Sequence, residues 1–75
     1  MADNTYFKNA QAITNTVLDY LEKNNEFNED DYYQIDILDL DEGSARVLVQ
    51  TDVLAQNYLY VTKNDGVWTV PALNN

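Results

Sequence analysis

The chain has no cysteine and no histidine among its 75 residues. Without cysteine there is no disulfide to staple a small core and no thiolate to act as nucleophile or metal ligand. Without histidine the commonest general base and the commonest zinc ligand are both missing. Two glycines and one proline are too few for a disordered linker protein. Bases are scarce as well: four Lys and Arg stand against thirteen Asp and Glu, a net charge of −9 with a pI near 4.1. That shortage argues against nucleic acid or an anionic membrane as a direct partner, since both are held through Lys and Arg. No apolar run approaches the ~20 residues of a membrane span, and the N-terminal MADNTYFKNAQ lacks the apolar segment of a signal peptide. The expectation is a cytoplasmic protein with no cofactor, no metal and no membrane partner.

What is present is apolar bulk and negative charge. Hydrophobic residues make up 45% of the chain, with six Tyr, two Phe and one Trp. A domain this small buries only about 60% of its unfolded surface, so large rings are useful in so thin a core. The acids cluster. Glu26, Glu29, Asp30, Asp31, Asp36, Asp39, Asp41 and Glu42 all fall in EFNEDDYYQIDILDLDE, a stretch with no base.

Before that stretch, apolar residues recur at Tyr6, Ala10, Ile13, Val17, Tyr20 and Leu21, with Phe7 and Leu18 on one flank. Steps of three and four predict one amphipathic helix over about residues 5–24. Asp3, Asn4 or Thr5 would cap its start. Asn24 and Asn25 would end it, because Asn tolerates the left-handed backbone. The acids from Glu26 to Asp31 then form a connector and are free to meet a partner.

From about residue 32 the pattern turns to strands, expected near 32–40, 45–52, 56–63 and 67–72. The two glycines lie in the turn signals Asp41-Glu42-Gly43 and Asn64-Asp65-Gly66, which gives two β-hairpins in series. For the first hairpin, a three-residue loop ending at Gly43 sets Ile37 opposite Val47 and Ile35 opposite Val49. It leaves Asp36, Leu38, Leu40, Arg46, Leu48 and Gln50 on the other face. A two-residue loop puts Asp39 opposite Arg46 instead. The first is preferred because it segregates the apolar residues better; the register also decides whether Asp39 is buried or displayed. For the second hairpin, a three-residue loop would bring Tyr58, Tyr60, Trp68 and Val70 together, whereas a two-residue type I′ turn at Asp65-Gly66 sets Val61 opposite Val70 and Lys63 opposite Trp68. Leu59, Val61, Trp68 and Val70 then face the core, with Tyr58 and Tyr60 outside. Pro71 cannot donate to a ladder and marks the last strand as an edge.

No arrangement of residues reads as a catalytic or metal site, and the chain is expected not to be an enzyme. Asp39-x-Asp41-x-Gly43 has the spacing of the start of a calcium loop, but Gly43 stands where the third ligand belongs. Gln50 stands where the bidentate Glu belongs. The Tyr32-Tyr33, Tyr58 and Tyr60 rings could stack bases only beside a basic groove, which this composition lacks. Packing, and a protein interface for those left exposed, accounts for them better.

Two surfaces remain as candidates for function. The first is the acidic set Glu29, Asp30, Asp31, Asp36, Asp39, Asp41 and Glu42, either a solubilising surface or an electrostatic lure for a basic protein. In its sharpest form the lure is a nucleic-acid mimic, since acids two apart on a strand sit ~6.6–6.8 Å apart on one face. The second is apolar. One helix covers one face of the sheet, leaving Leu38, Leu40, Leu48, Tyr58 and Tyr60 for a partner or a second copy of the chain in a homodimer.

The closing segment YLYVTKNDGVWTV, with Tyr58 to Thr62, Asp65-Gly66 and Trp68, resembles the last hairpin of cystatin-like and NTF2-like domains. The resemblance implies a helix packed on an antiparallel sheet. NTF2-like domains have further helices around a pocket, which this chain does not have. In size and acidity the chain also resembles small phage-encoded inhibitors of host defence, including anti-CRISPR and DNA-mimic proteins. That likeness is one of composition.

The sequence therefore predicts an α+β domain, one N-terminal helix on a four-stranded antiparallel sheet. It predicts a non-enzymatic module that binds a basic partner, with a ligand-binding or assembly domain working through its apolar sheet face as the alternative.

Overall fold

The computed structural model describes residues 4–28 and 30–71. The order is α1 (Asn4–Lys23), β1 (Tyr33–Leu40), β2 (Ser44–Thr51), β3 (Asn57–Asn64) and β4 (Val67–Thr69). The strands form one antiparallel sheet in the order β1-β2-β3-β4, and α1 packs on one face of it. This is the expected α+β arrangement. Of the expected features, Asp3 as a cap and Glu29 lie outside the described residues, and the last strand, expected over 67–72, already ends at Thr69. No helix is long and apolar enough to cross a membrane among the described residues.

The helical stripe does its predicted work in the middle. Ile13, Val17 and Leu21 are fully buried against Val47, Val49 and Val61 from the sheet. Each such side chain contributes about 1.5–3 kcal/mol on burial. The stripe fails at its start, where Tyr6 and Phe7 remain 51% and 68% exposed and pack on each other edge to face. Length explains this. Twenty residues of helix span ~30 Å, whereas eight residues of strand span ~26 Å. The first turn overhangs the β1–β2 tip.

The helix ends as its asparagines predict. Asn25 has φ 61°. The Glu26 N–H donates to the Leu21 carbonyl at 2.8 Å and the Asn25 N–H to that of Glu22 at 3.1 Å. These are the two bonds of a Schellman cap. The chain then turns back and buries Phe27, which meets Tyr33 edge to face at 5.5 Å. The connector is thus anchored to the core rather than merely spanning a gap. Thr51, the buried polar side chain, fastens its other side: its hydroxyl donates to the Glu26 carbonyl at 2.6 Å and accepts from the Leu54 N–H at 3.0 Å.

The second hairpin has the predicted register. Asp65 and Gly66 both take positive φ, 52° and 79°, and Asn64 pairs with Val67, Lys63 with Trp68 and Thr62 with Thr69. The Lys63 ammonium lies 5.7 Å from the centre of the Trp68 ring. Trp68 is tied to α1 through Asn9 and Thr16.

The first hairpin corrects the expectation. Its loop is the short one: Leu40 pairs with Ala45, Asp39 with Arg46, and the Asp41 N–H donates to the Ser44 carbonyl. Further along, Ile37 pairs with Val47 and Ile35 with Val49, as the longer loop would give. Both registers coexist because Leu38 is an extra residue, a bulge between them. The bulge reverses the alternation. Leu40, expected on the outer face, turns inward and packs against the core.

Candidate functional site

Among the described residues the outer face of the sheet carries no helix, and its cross-strand rows follow from the pairings. Gln34 lies beside Gln50. Asp36, Leu48 and Tyr58 form one row across three strands, and Asp39, Arg46 and Tyr60 form the next. The face is acidic along the β1 edge and apolar toward β3. Tyr58 and Tyr60 are 61% and 53% exposed, and Leu48 is half-buried between Asp36 and Tyr58. Leu38, at the bulge, is 43% exposed. Of the five apolar residues expected to form an interface, four stay accessible and Leu40 leaves.

The carboxylates are held by different means. The Tyr32 hydroxyl donates to Gln34 Oε1 at 3.0 Å, and Gln34 Nε2 donates to Asp36 Oδ2 at 3.1 Å. This chain of bonds along the edge strand sets the Asp36 carboxylate in place. Asp39 is not buried; it pairs with Arg46, whose Nη2 donates to Asp39 Oδ2 at 2.8 Å. Asp31 is not a free acid either. It accepts from the Asn28 N–H at 3.0 Å and closes the turn of the connector.

The acidic stretch is thus divided by the fold. Asp30 and Asp31 lie at the end of the sheet where Asp52 accepts from the Tyr32 N–H at 3.3 Å. Asp41 and Glu42 lie at the opposite tip, where they line a groove with Thr5, Tyr6 and Asn9 of the first helical turns. A strand of eight residues, ~26 Å, separates the two groups. Among the described residues no three acids converge as a metal site would require.

One feature of the site was only half visible in the sequence. A cavity of about 210 Å³ opens beside β3, lined by Arg46, Tyr58, Leu59, Tyr60, Val70 and Pro71. Pro71 marked the edge strand in advance; that β4 stops short and leaves an apolar cleft there was not legible. No family model, no curated protein and no solved structure matches this chain.

Proposed function

We propose that the protein is a non-enzymatic interaction module whose outer sheet face takes the basic surface of another protein. The observation that carries this is the row Asp36–Leu48–Tyr58 beside the row Asp39–Arg46–Tyr60. Together they place an exposed aromatic and aliphatic centre next to a carboxylate edge on a face that α1 leaves uncovered. Exposed Tyr in the middle of a patch is typical of protein interfaces. The net charge of −9 speeds encounter with a cationic partner and rejects anionic ones.

An inhibitor of the phage anti-defence kind is one form that such a module takes. Imitation of a phosphate backbone has less support, because the acids divide between two ends of the sheet and Asp39 is neutralised by Arg46. An assembly domain that pairs two copies through the same apolar centre is the competing reading. Pull-down from the native cell with mass spectrometry separates them, using wild-type, Asp36→Lys and Leu48→Asp baits. The proposal expects one basic protein on the wild-type bait, lost from both variants. Recovery of the chain itself as the sole partner, or a partner retained by both variants, overturns it.

A further inference from the structure

β1 is an edge strand, and its regular run before the bulge, residues 33–37, has an open side among the described residues. The pairings show which residues face it. The Lys63 N–H donates to the Gly43 carbonyl, so odd-numbered residues of β2 turn their backbone groups to β3 and even-numbered ones to β1. Gln34 and Asp36, opposite Gln50 and Leu48, therefore bond to β2. Tyr33, Ile35 and Ile37 turn their N–H and C=O groups outward. Thr51, opposite Tyr33, accordingly sends its own N–H to the Leu54 carbonyl. The connector is drawn to β2 and not to this side, with the Tyr32 N–H on Asp52 and the Glu26 carbonyl on Thr51. The described residues begin at Asn4, near the tip at Leu40, and end at Pro71 on the far edge. A strand beside Ile35 would lie ~17 Å along the sheet from that tip and ~19 Å across it from that edge. Residues 1–3 and 72–75 span at most ~11 and ~14 Å.

The two faces beside this edge differ in chemistry. Asn9, Thr16 and Tyr20 line the side of α1 toward Trp68 of β4, so Leu18 lies on the flank toward β1. Leu18, Ile35 and Ile37 are only half-buried, which leaves the inner side of the edge apolar and incompletely covered. On the outer side stands the Asp36 carboxylate, held in place by Gln34 Nε2.

We propose that the open side of β1 over residues 33–37 takes an extended segment of the basic partner as an antiparallel fifth strand, with Lys or Arg beside Asp36 and apolar side chains beside Ile35 and Ile37. The outward groups of Tyr33, Ile35 and Ile37 supply affinity and the alternating side chains supply selectivity, which is the division of labour in strand addition. A residue opposite Asp36 falls in a non-hydrogen-bonded pair, the kind in which side chains come closest, with Cα atoms ~4.5 Å apart. The choice of a basic segment rests on the function proposed above and on Asp36; the open edge does not. A second copy is the poorer occupant. It brings another net charge of −9, and its own β1 offers Asp36 and Asp39 with a bulge between them. Those devices turn away a like strand and suit a cationic one.

The test uses the full chain and a displayed library of random peptides about eight residues long, the span of a strand. Amide chemical shifts map where selected peptides bind. The proposal expects peptides in which Lys and Arg alternate with apolar residues, shifts concentrated over residues 33–37, and new protection of the Ile35 and Ile37 amides from exchange. N-methylation of a peptide amide that faces β1 should weaken binding about tenfold with no change in charge. Asp36→Asn, which can still accept from Gln34, should weaken it up to about fivefold at low salt and less at high salt. Basic peptides that map around Leu48 and Tyr58 and ignore N-methylation overturn the strand addition and leave the proposed function standing. Peptides at residues 33–37 that lack Lys and Arg, or that ignore Asp36→Asn, overturn the basic occupant and leave the open edge standing. No selected peptide overturns the proposal outright. So does protection of the Ile35 and Ile37 amides in the free chain, which would show the edge already paired.

Discussion

Asp39 sits directly across from Arg46, with Nη2 and Oδ2 2.8 Å apart, only because Leu38 is inserted one position earlier. The bulge thus turns an acid of the edge strand into half of an ion pair. Both side chains are more than half exposed, so the pair stabilises the fold weakly. A double-mutant cycle with Asp39→Ala and Arg46→Ala in urea should give a coupling of about 0.2–1 kcal/mol that shrinks as salt is added. A coupling well above that range would mean that the pair is far less solvated than its exposure indicates.

Deleting Leu38 leaves every other cross-strand pair of β1 possible. Ile35 and Ile37 stay inward, Asp36 and Asp39 stay outward, and Leu40 keeps its place opposite Ala45. The deletion variant should fold with a similar circular-dichroism spectrum. Its straightened edge should self-associate more readily, because the bulge no longer blunts it. Sedimentation of wild type and variant at equal concentration reads this out; equal monomer masses would show that the bulge does not guard the edge.

The two glycines should respond differently to substitution. A Cβ at Gly43 or at Gly66 meets nothing within 4 Å, but only Gly66 has positive φ, 79°. Gly66→Ala should destabilise by roughly 1–2 kcal/mol through backbone strain alone. Gly43→Ala should stay within about 0.5 kcal/mol of wild type. Thermal melts of the two variants test this. Equal losses would mean that the β1–β2 tip is as constrained as the Asp65-Gly66 turn.

Thr51 joins three segments through one hydroxyl, accepting from Val53 and Leu54 and donating to Glu26. Thr51→Val keeps the shape and leaves those groups without their partner. The expected cost is about 1–3 kcal/mol in denaturant titration, the penalty for orphaned buried polar groups. Amide exchange should rise first in the connector around Phe27, where the chain depends on that bond.

The helix and the second hairpin with its turn were legible because each is fixed by local chemistry. Asn25 and Asp65 adopt left-handed backbone because short polar side chains tolerate it, and Gly66 because it has no Cβ. The first hairpin was not, because its register depends on where one residue is surplus. The signal was in the sequence as adjacent apolar Ile37 and Leu38 followed by Leu40, which breaks strict alternation at one point. A parity switch within one strand marks a bulge, and reading it so places Leu40 in the core. Phe27 was hidden for a different reason. A lone aromatic among acids has no period to reveal it, and only the Schellman cap turns it back to the sheet. The division of the acids between the two ends of the sheet was legible, since the expected strand over 32–40 runs between the Glu26–Asp31 connector and the Asp41-Glu42-Gly43 turn.

The central claim is that a basic partner is held on the outer sheet face by its carboxylate edge and apolar centre together. Calorimetric titration of the captured partner tests it most directly, with wild type, Asp36→Lys and Leu48→Asp at low and at moderate salt. The account predicts that wild-type affinity falls steeply as salt rises. It also predicts that Asp36→Lys loses most of that salt dependence and that Leu48→Asp abolishes binding at either salt. Affinity indifferent to salt, or unchanged by both substitutions in folded protein, contradicts it.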